Sequence, residues 1–282
     1  MASSGGATAG LSLLSAATWG GSDFAGGWGA RRASSLLITA SGQVVSLAAL
    51  LCICLALRLP VPATKYLVYA AIGGFEGAFA LAIFYRALAM GAMGLTAALT
   101  GLLTALIPVV FDLLHAGWPG TLTTAGLAVG LAAIWMISQS QSASGSGTPA
   151  RALLLGACAG TGFGAQLILF KMGAEGGVIW ALTSGRIAGA VAILLTVAIA
   201  RPKGCWRGFW LAGIISGCLD AVGNLFYMMA SQSGRLDVAA VICSMYPAGT
   251  ILLAGVILRE RPTKKQLAGM GLALAAVALL SA

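Results

Sequence analysis

Asp23 sits in the stretch ATWGGSDFAGGWGARR, Ala17 to Arg32, among two tryptophans and five glycines. A carboxylate in such surroundings can accept an ammonium group or exchange a proton with its burial raising its pKa. Its alternative use is structural, as a cap on exposed backbone or a partner for Arg31 or Arg32. Asp220 and Asn224 stand four apart, on one face of a helix, and Gln166 adds a further amide. Together Asp23, Gln166, Asp220 and Asn224 offer acceptors for an ammonium and donors for a carboxylate, although interhelical hydrogen bonding employs the same groups. Four aromatics accompany them. Trp19 precedes Asp23 by one turn, Tyr246 adjoins Pro247, and Tyr85 and Tyr227 occupy equivalent places in two similar motifs. Such rings either wall a central site with stacking faces and hydroxyls or anchor helices at a membrane interface, the reading preferred for Trp118, Trp206 and Trp210.

The other ionisable residues in apolar segments are Glu76, Arg86, Lys171 and Arg186, with Asp112 near a segment end. Each would cost about 2.5–3.5 kcal/mol at a helix centre in lipid, which directs it toward the bundle interior, a cavity or a partner. Lys171 is close enough to an end to snorkel. Catalytic chemistry finds little support: His115 is the single histidine, and there is no paired-carboxylate metal motif, phosphate loop or Ser/His/Asp set. Neither enzyme activity nor a cofactor or metal is expected.

The elements that must position these groups follow from composition. The 282 residues are 59% hydrophobic and 8% charged, against about 25% charged in a soluble domain, and the mean hydropathy is +0.97. The chain reads as an all-α integral membrane protein. Continuous apolar runs favour helices over barrel strands and place ten spans near 8–29, 35–57, 66–89, 93–114, 121–139, 151–172, 178–200, 207–231, 236–258 and 265–281. The six cysteines fall mostly in these runs as small packing residues. The net charge of +9 lies mainly in short loops, a topology signal and not a nucleic-acid footprint. The first apolar segment lacks a preceding basic region and a clear cleavage site, so it is expected to be retained.

A Ser/Gly-rich stretch, SQSQSASGSGTPAR, separates five helices from five, giving units 1–139 and 151–282 with a linker over 140–150. The halves echo each other: FYRALAMGAMG from Phe84 matches FYMMASQSGRL from Phe226 at an offset of 142, and TWGGSDF matches GFGAQLI at 144, which pairs Gln166 with Ser22. WPGTL matches RPTKK in nearly the same register. An odd number of helices per repeat inverts the second half relative to the first. Glycine stretches such as Ile72 to Phe75 and Gly269 to Gly271 are expected at close helix contacts, and Pro108 and Pro247 are candidate hinges. Loops after odd-numbered helices hold ten Lys/Arg and those after even-numbered helices four, which puts the former in the cytoplasm and both termini outside.

The five-plus-five pattern, WGGSDF, FYRALAMG, and the closing segment from Met229 to Leu280 resemble the EamA branch of the drug/metabolite transporter superfamily. The closing segment, with Pro247, Glu260, Gly269 and Gly271, is the most specific part. The first half departs from it, with Thr104 at the Pro247 position and Gly117 at that of Glu260. The resemblance implies a bacterial inner-membrane secondary transporter that exports small metabolites, amino acids including aromatic and neutral ones foremost, by alternating access, with similarity to bacterial aromatic amino-acid exporters. It also implies cytoplasmic termini, against the charge count. On this reading Trp19, Tyr85, Tyr227 and Tyr246 form the aromatic wall, Gln166, Asp220, Asn224 and Asp23 orient the polar end, and Asp23 is the candidate for proton coupling. One chain in the lipid bilayer suffices. The rivals are export of cationic drugs, nucleosides or sugars by the same fold, and a non-transporting sensor or lipid-modifying enzyme.

Overall fold

The computed structural model describes residues 2–90, 93–138, 150–202, 210–257 and 263–281, and all regular structure among them is α-helical. The helices are α1 (Ala2–Ala30), α2 (Ser35–Leu57), α3 (Thr64–Met90), α4 (Met93–His115), α5 (Thr121–Ser138), α6 (Ala150–Ala174), α7 (Val178–Ala200), α8 (Trp210–Ser233), α9 (Leu236–Cys243), α10 (Tyr246–Ile257) and α11 (Lys264–Ser281). Residues 140–149 of the linker, Trp206 and Glu260 lie outside the described residues. Seven stretches among those described are long and apolar enough to cross a membrane, the segment Leu236–Ile257 counted as one, and Thr121–Met136 is a shorter apolar helix. The chain is a multi-pass membrane protein. Each expected span coincides with helix over its described residues, but the first and last, α1 and α11, are not among the seven, so the count of ten spans is not reached.

The ninth expected span is two half-helices instead of one. Pro247 brings no N–H, and in a continuous helix its ring would press on the carbonyl of Cys243. The backbone leaves the α-helical ladder there, with Met245 N–H bonding Ile242 O at 3.1 Å and Ala248 N–H bonding Met245 O at 3.0 Å. Pro247 thereby falls in the first turn of α10, where a missing N–H costs nothing. Pro108, in contrast, lies inside an uninterrupted α4.

Packing pairs come in couples. The tightest associations are α3 with α6 and α1 with α8, while α5 meets α11 and α2 meets α7. Helices touch backbone to backbone at two glycine crossings: a β-carbon on Gly74 would collide with Gly185, and one on Gly217 with Gly42. The two crossings are exchanged by one shift, since 185 − 42 and 217 − 74 both equal 143. The same shift links Arg58 and Arg201, the two non-glycine residues with left-handed backbone among those described, at φ 47° and 42°. Each turns its N–H back onto the last carbonyls of its helix, α2 or α7. Gly271, expected at a close contact, has open space where a β-carbon would sit.

Candidate functional site

A central cavity opens between α1, α3, α4, α6, α8 and the start of α10. Trp19 and Asp23 come from α1, Gln166 from α6, Asp220 and Asn224 from α8, and Tyr246 from α10. Six of the eight expected site residues therefore meet around one space. Its volume is about 30 Å³, room for about two waters, so anything larger requires the surrounding helices to part.

Tyr85 and Tyr227 do not line this space. Both are fully buried behind it. The Tyr85 hydroxyl lies 3.1 Å from Ser22 Oγ, which itself donates to Ser216 O at 2.9 Å, and tyrosine thereby ties α3 through α1 to α8. Tyr227 donates to Leu167 O at 2.6 Å and packs its ring 5.9 Å from that of Trp19. They support the wall from outside. Tyr227→Phe should lower the melting temperature by an amount corresponding to about 1 kcal/mol, the net worth of one hydrogen bond, with substrate half-saturation unchanged; detergent-phase thermal unfolding checks the first and flux the second.

The two tyrosines are also not equivalent under the 143-residue shift, which pairs Tyr227 with Phe84. Phe84 stands edge-on to both Phe163, at 5.7 Å, and Tyr246, at 6.3 Å. The shift likewise pairs Gln166 with Asp23, not with Ser22, and Asp220 with Gly77. Residues that sequence reasoning overlooked, Leu81, Thr104, Phe163 and Leu167, complete the lining. Leu81 is the counterpart of Asn224 under the same shift, and that repeat arithmetic was the signal available for it.

The polar groups divide sharply by partner. Both Asp220 oxygens are engaged: Oδ2 accepts from Arg186 Nη2, and Oδ1 accepts from Asn224 Nδ2 at 3.1 Å. Arg186, on α7 and buried, also donates from Nη1 to Gln43 Oε1 at 3.2 Å. Asn224 donates again to Asp220 O at 2.8 Å, which leaves its own carbonyl oxygen as an acceptor toward the cavity. Asp23 has neither a hydrogen bond nor an ion pair among the described residues, and Arg32 stacks on Trp28 at 4.6 Å instead of reaching it. The buried Tyr246 hydroxyl approaches Thr104 without closing a hydrogen bond. Asp23 and Tyr246 thus line one cavity, the carboxylate without a partner and the hydroxyl buried beside Thr104 without one. Among the described residues no cluster of three His, Cys, Asp or Glu could hold a metal.

A second polar cluster closes one end of the molecule. Arg235, between α8 and α9, bonds the Asp237 carboxylate through Nε and Nη2, the latter at 2.9 Å, and lies 3.7 Å from Asp112 of α4. Asp112 Oδ2 accepts from the Asp237 N–H at 3.2 Å. The hydrogen bonds that Arg235 donates to the Asp237 carboxylate hold its guanidinium protonated even beyond its usual range.

Residues 150–282 match the EamA-like transporter family. No curated protein matches the chain. A solved structure, described only as the crystal structure of a protein, superposes on 96% of this chain and 95% of its own with a TM-score of 0.71 at 20% identity. That likeness concerns the fold alone, and it extends through the first half, which the family match does not reach. The second half thus resembles that transporter family, and the whole chain shares the fold of the solved structure.

Proposed function

We propose that the protein is a bacterial inner-membrane secondary transporter that exports small amine-bearing metabolites, amino acids with neutral and aromatic side chains foremost, by alternating access. The observation that carries this reading is an Asp23 without a partner in a cavity that Tyr246, whose buried hydroxyl also lacks one, lines beside a broken helix. Asp23 and the Asn224 carbonyl accept from the substrate ammonium. The hydroxyl of Tyr246 and the Gln166 amide donate to its carboxylate, while Trp19, Phe163 and Leu81 cover its side chain. A cavity near the midplane next to a discontinuous helix is how many secondary transporters hold their cargo.

Two inverted five-helix repeats explain the paired packing and the 143-residue shift. Rocking one repeat against the other would then expose the cavity to alternate sides, with Ser244 and Met245 as the flexible joint ahead of Pro247. A proton on Asp23 competes with the substrate ammonium, so export couples to proton entry. One observation favours a second reading, export of cations: Arg186 already compensates Asp220, and Asp23 leaves the cavity with a net negative charge when ionised.

Proteoliposomes loaded with labelled phenylalanine, tryptophan, threonine or a cationic dye test both readings. Saturable amino-acid flux that responds to an imposed pH gradient, with the response lost in Asp23→Asn, is the expected result. Dye movement without amino-acid flux selects the second reading, and no flux of any kind refutes transport.

A further inference from the structure

We infer that Arg186, which does not reach the cavity, divides the labour of the two cavity carboxylates: it fixes Asp220 as a permanent anion and leaves Asp23 as the group that exchanges its proton. The inference rests on the transport reading above and adds the residue that decides which carboxylate is exchangeable.

The geometry is one-sided. Asp220 and Asp23 line the same small cavity, and two nearby carboxylates in a poorly solvated space do not both ionise without compensation. Arg186 gives that compensation to Asp220 alone, through a buried guanidinium that Gln43 orients from α2. Asn224 takes the remaining carboxylate oxygen. A proton arriving at Asp220 would have to break an ion pair and a hydrogen bond, whereas one arriving at Asp23 breaks neither. The groups facing Asp23 are Asp220 on α8, Tyr85 on α3 and Tyr246 on α10; those facing Asp220 are Arg186 on α7, Asp23 and Tyr85. Glu76, also on α3, lies against Gly162 of α6. Arg186 is thus the one cation of the set.

Packing does not demand this network. Under the 143-residue shift Arg186 corresponds to Gln43 and Asp220 to Gly77, so the other half builds the same crossing of helices with no charge. The exchange itself balances simply. Substrate enters as R–NH₃⁺, the Asp23 carboxyl releases its proton to cavity water, and the ammonium takes the proton's place; the reverse reloads Asp23 from the opposite side.

Infrared pH titration of the purified protein, following the protonated-carboxyl stretch, tests the assignment without any transport measurement. Wild type should show a titrating carboxyl that disappears in Asp23→Asn and persists in Asp220→Asn. In Arg186→Gln a second titrating carboxyl should appear, and it should vanish in Arg186→Gln with Asp220→Asn while the Asp23 band remains. A band lost in Asp220→Asn of otherwise wild-type protein overturns the inference, as does a folded Arg186→Gln protein with no new band. Should Arg186→Gln not fold, the comparison of the two single aspartate variants decides alone. Absent flux in proteoliposomes would instead remove the transport reading, so the two failures are separable.

Discussion

Gly217→Leu should abolish recovery of folded, monodisperse protein from membranes. The β-carbon alone would strike the Cα, carbonyl carbon and oxygen of Gly42, and these backbone atoms have no rotamer through which to withdraw. Overpacking in an ordinary core costs about 1–3 kcal/mol, and a collision with backbone at the crossing of two helices belongs at or above the top of that range. The crossing of α3 with α7 at Gly74 and Gly185 is built alike, so Gly74→Leu should behave the same way. Gly271→Ala is the control: nothing stands in its way, and exchanging a helical glycine for alanine should leave stability unchanged or raise it by up to about 1 kcal/mol. Gel filtration and thermal unfolding in detergent read all three. A Gly217→Leu protein that elutes and melts like wild type would show that the two helices can separate freely at this point.

Arg235→Gln should destabilise the protein by about 2–3 kcal/mol. Removing one partner of a buried ion pair costs about 3–5 kcal/mol because the other charge is stranded; here the stranded group is Asp237, fully buried, while Arg235 is 31% exposed and part of its contribution is screened by water. The guanidinium is pushed further above a range that already exceeds any working pH. Its contribution is present below the unfolded-state pKa and would be lost only as pH rose through the higher folded value, so the deficit should be constant through neutral pH. Since Arg235 and Asp237 join the α8–α9 corner to Asp112 of α4, the variant should also accelerate opening at that end, raising the flux of a weakly bound substrate relative to wild type. Unfolding midpoints at several pH values and initial flux rates measure the two effects. Asp112→Asn, which keeps the acceptor for the Asp237 N–H but removes its charge, should fall between.

Much of this architecture was legible because lipid makes backbone satisfaction compulsory: a long apolar run has to be helical, and each expected span is. Cavity-lining residues were legible where burial makes a polar group conspicuous, as for Asp23, Asp220 and Asn224. What escaped was rotational detail. An error of one residue turns a helix by about 100°, so matching Phe84–Tyr85 to Phe226–Tyr227 at 142 set Tyr85 opposite Tyr227, whereas the glycine crossings and the Arg58 and Arg201 caps follow 143. A slip of one residue the other way, to 144, set Gln166 against Ser22 when its counterpart is Asp23. Tyr85 and Tyr227 have hydroxyls that satisfy neighbouring helices, a role identical in sequence to that of a ligand-facing tyrosine. The break before Pro247 could have been placed from the residue type alone, since proline spoils the ladder toward the residue four before it. Arg186 became meaningful only when α2 and α8 brought Gln43 and Asp220 to the two ends of its guanidinium.

The counterparts of the cavity residues differ in kind: Asn224 answers to Leu81, Asp220 to Gly77 and Asp23 to Gln166. Were they the same, a guest could sit in either of two orientations related by a half-turn, and the site would hold both equally. With unlike counterparts, an amino-acid guest of the proposed transporter would have one seating, with its amine, its acid and its side chain each directed to a different wall. Three unlike walls are the minimum for telling a molecule from its mirror image, so an amino-acid guest would be sorted by handedness as well as by size.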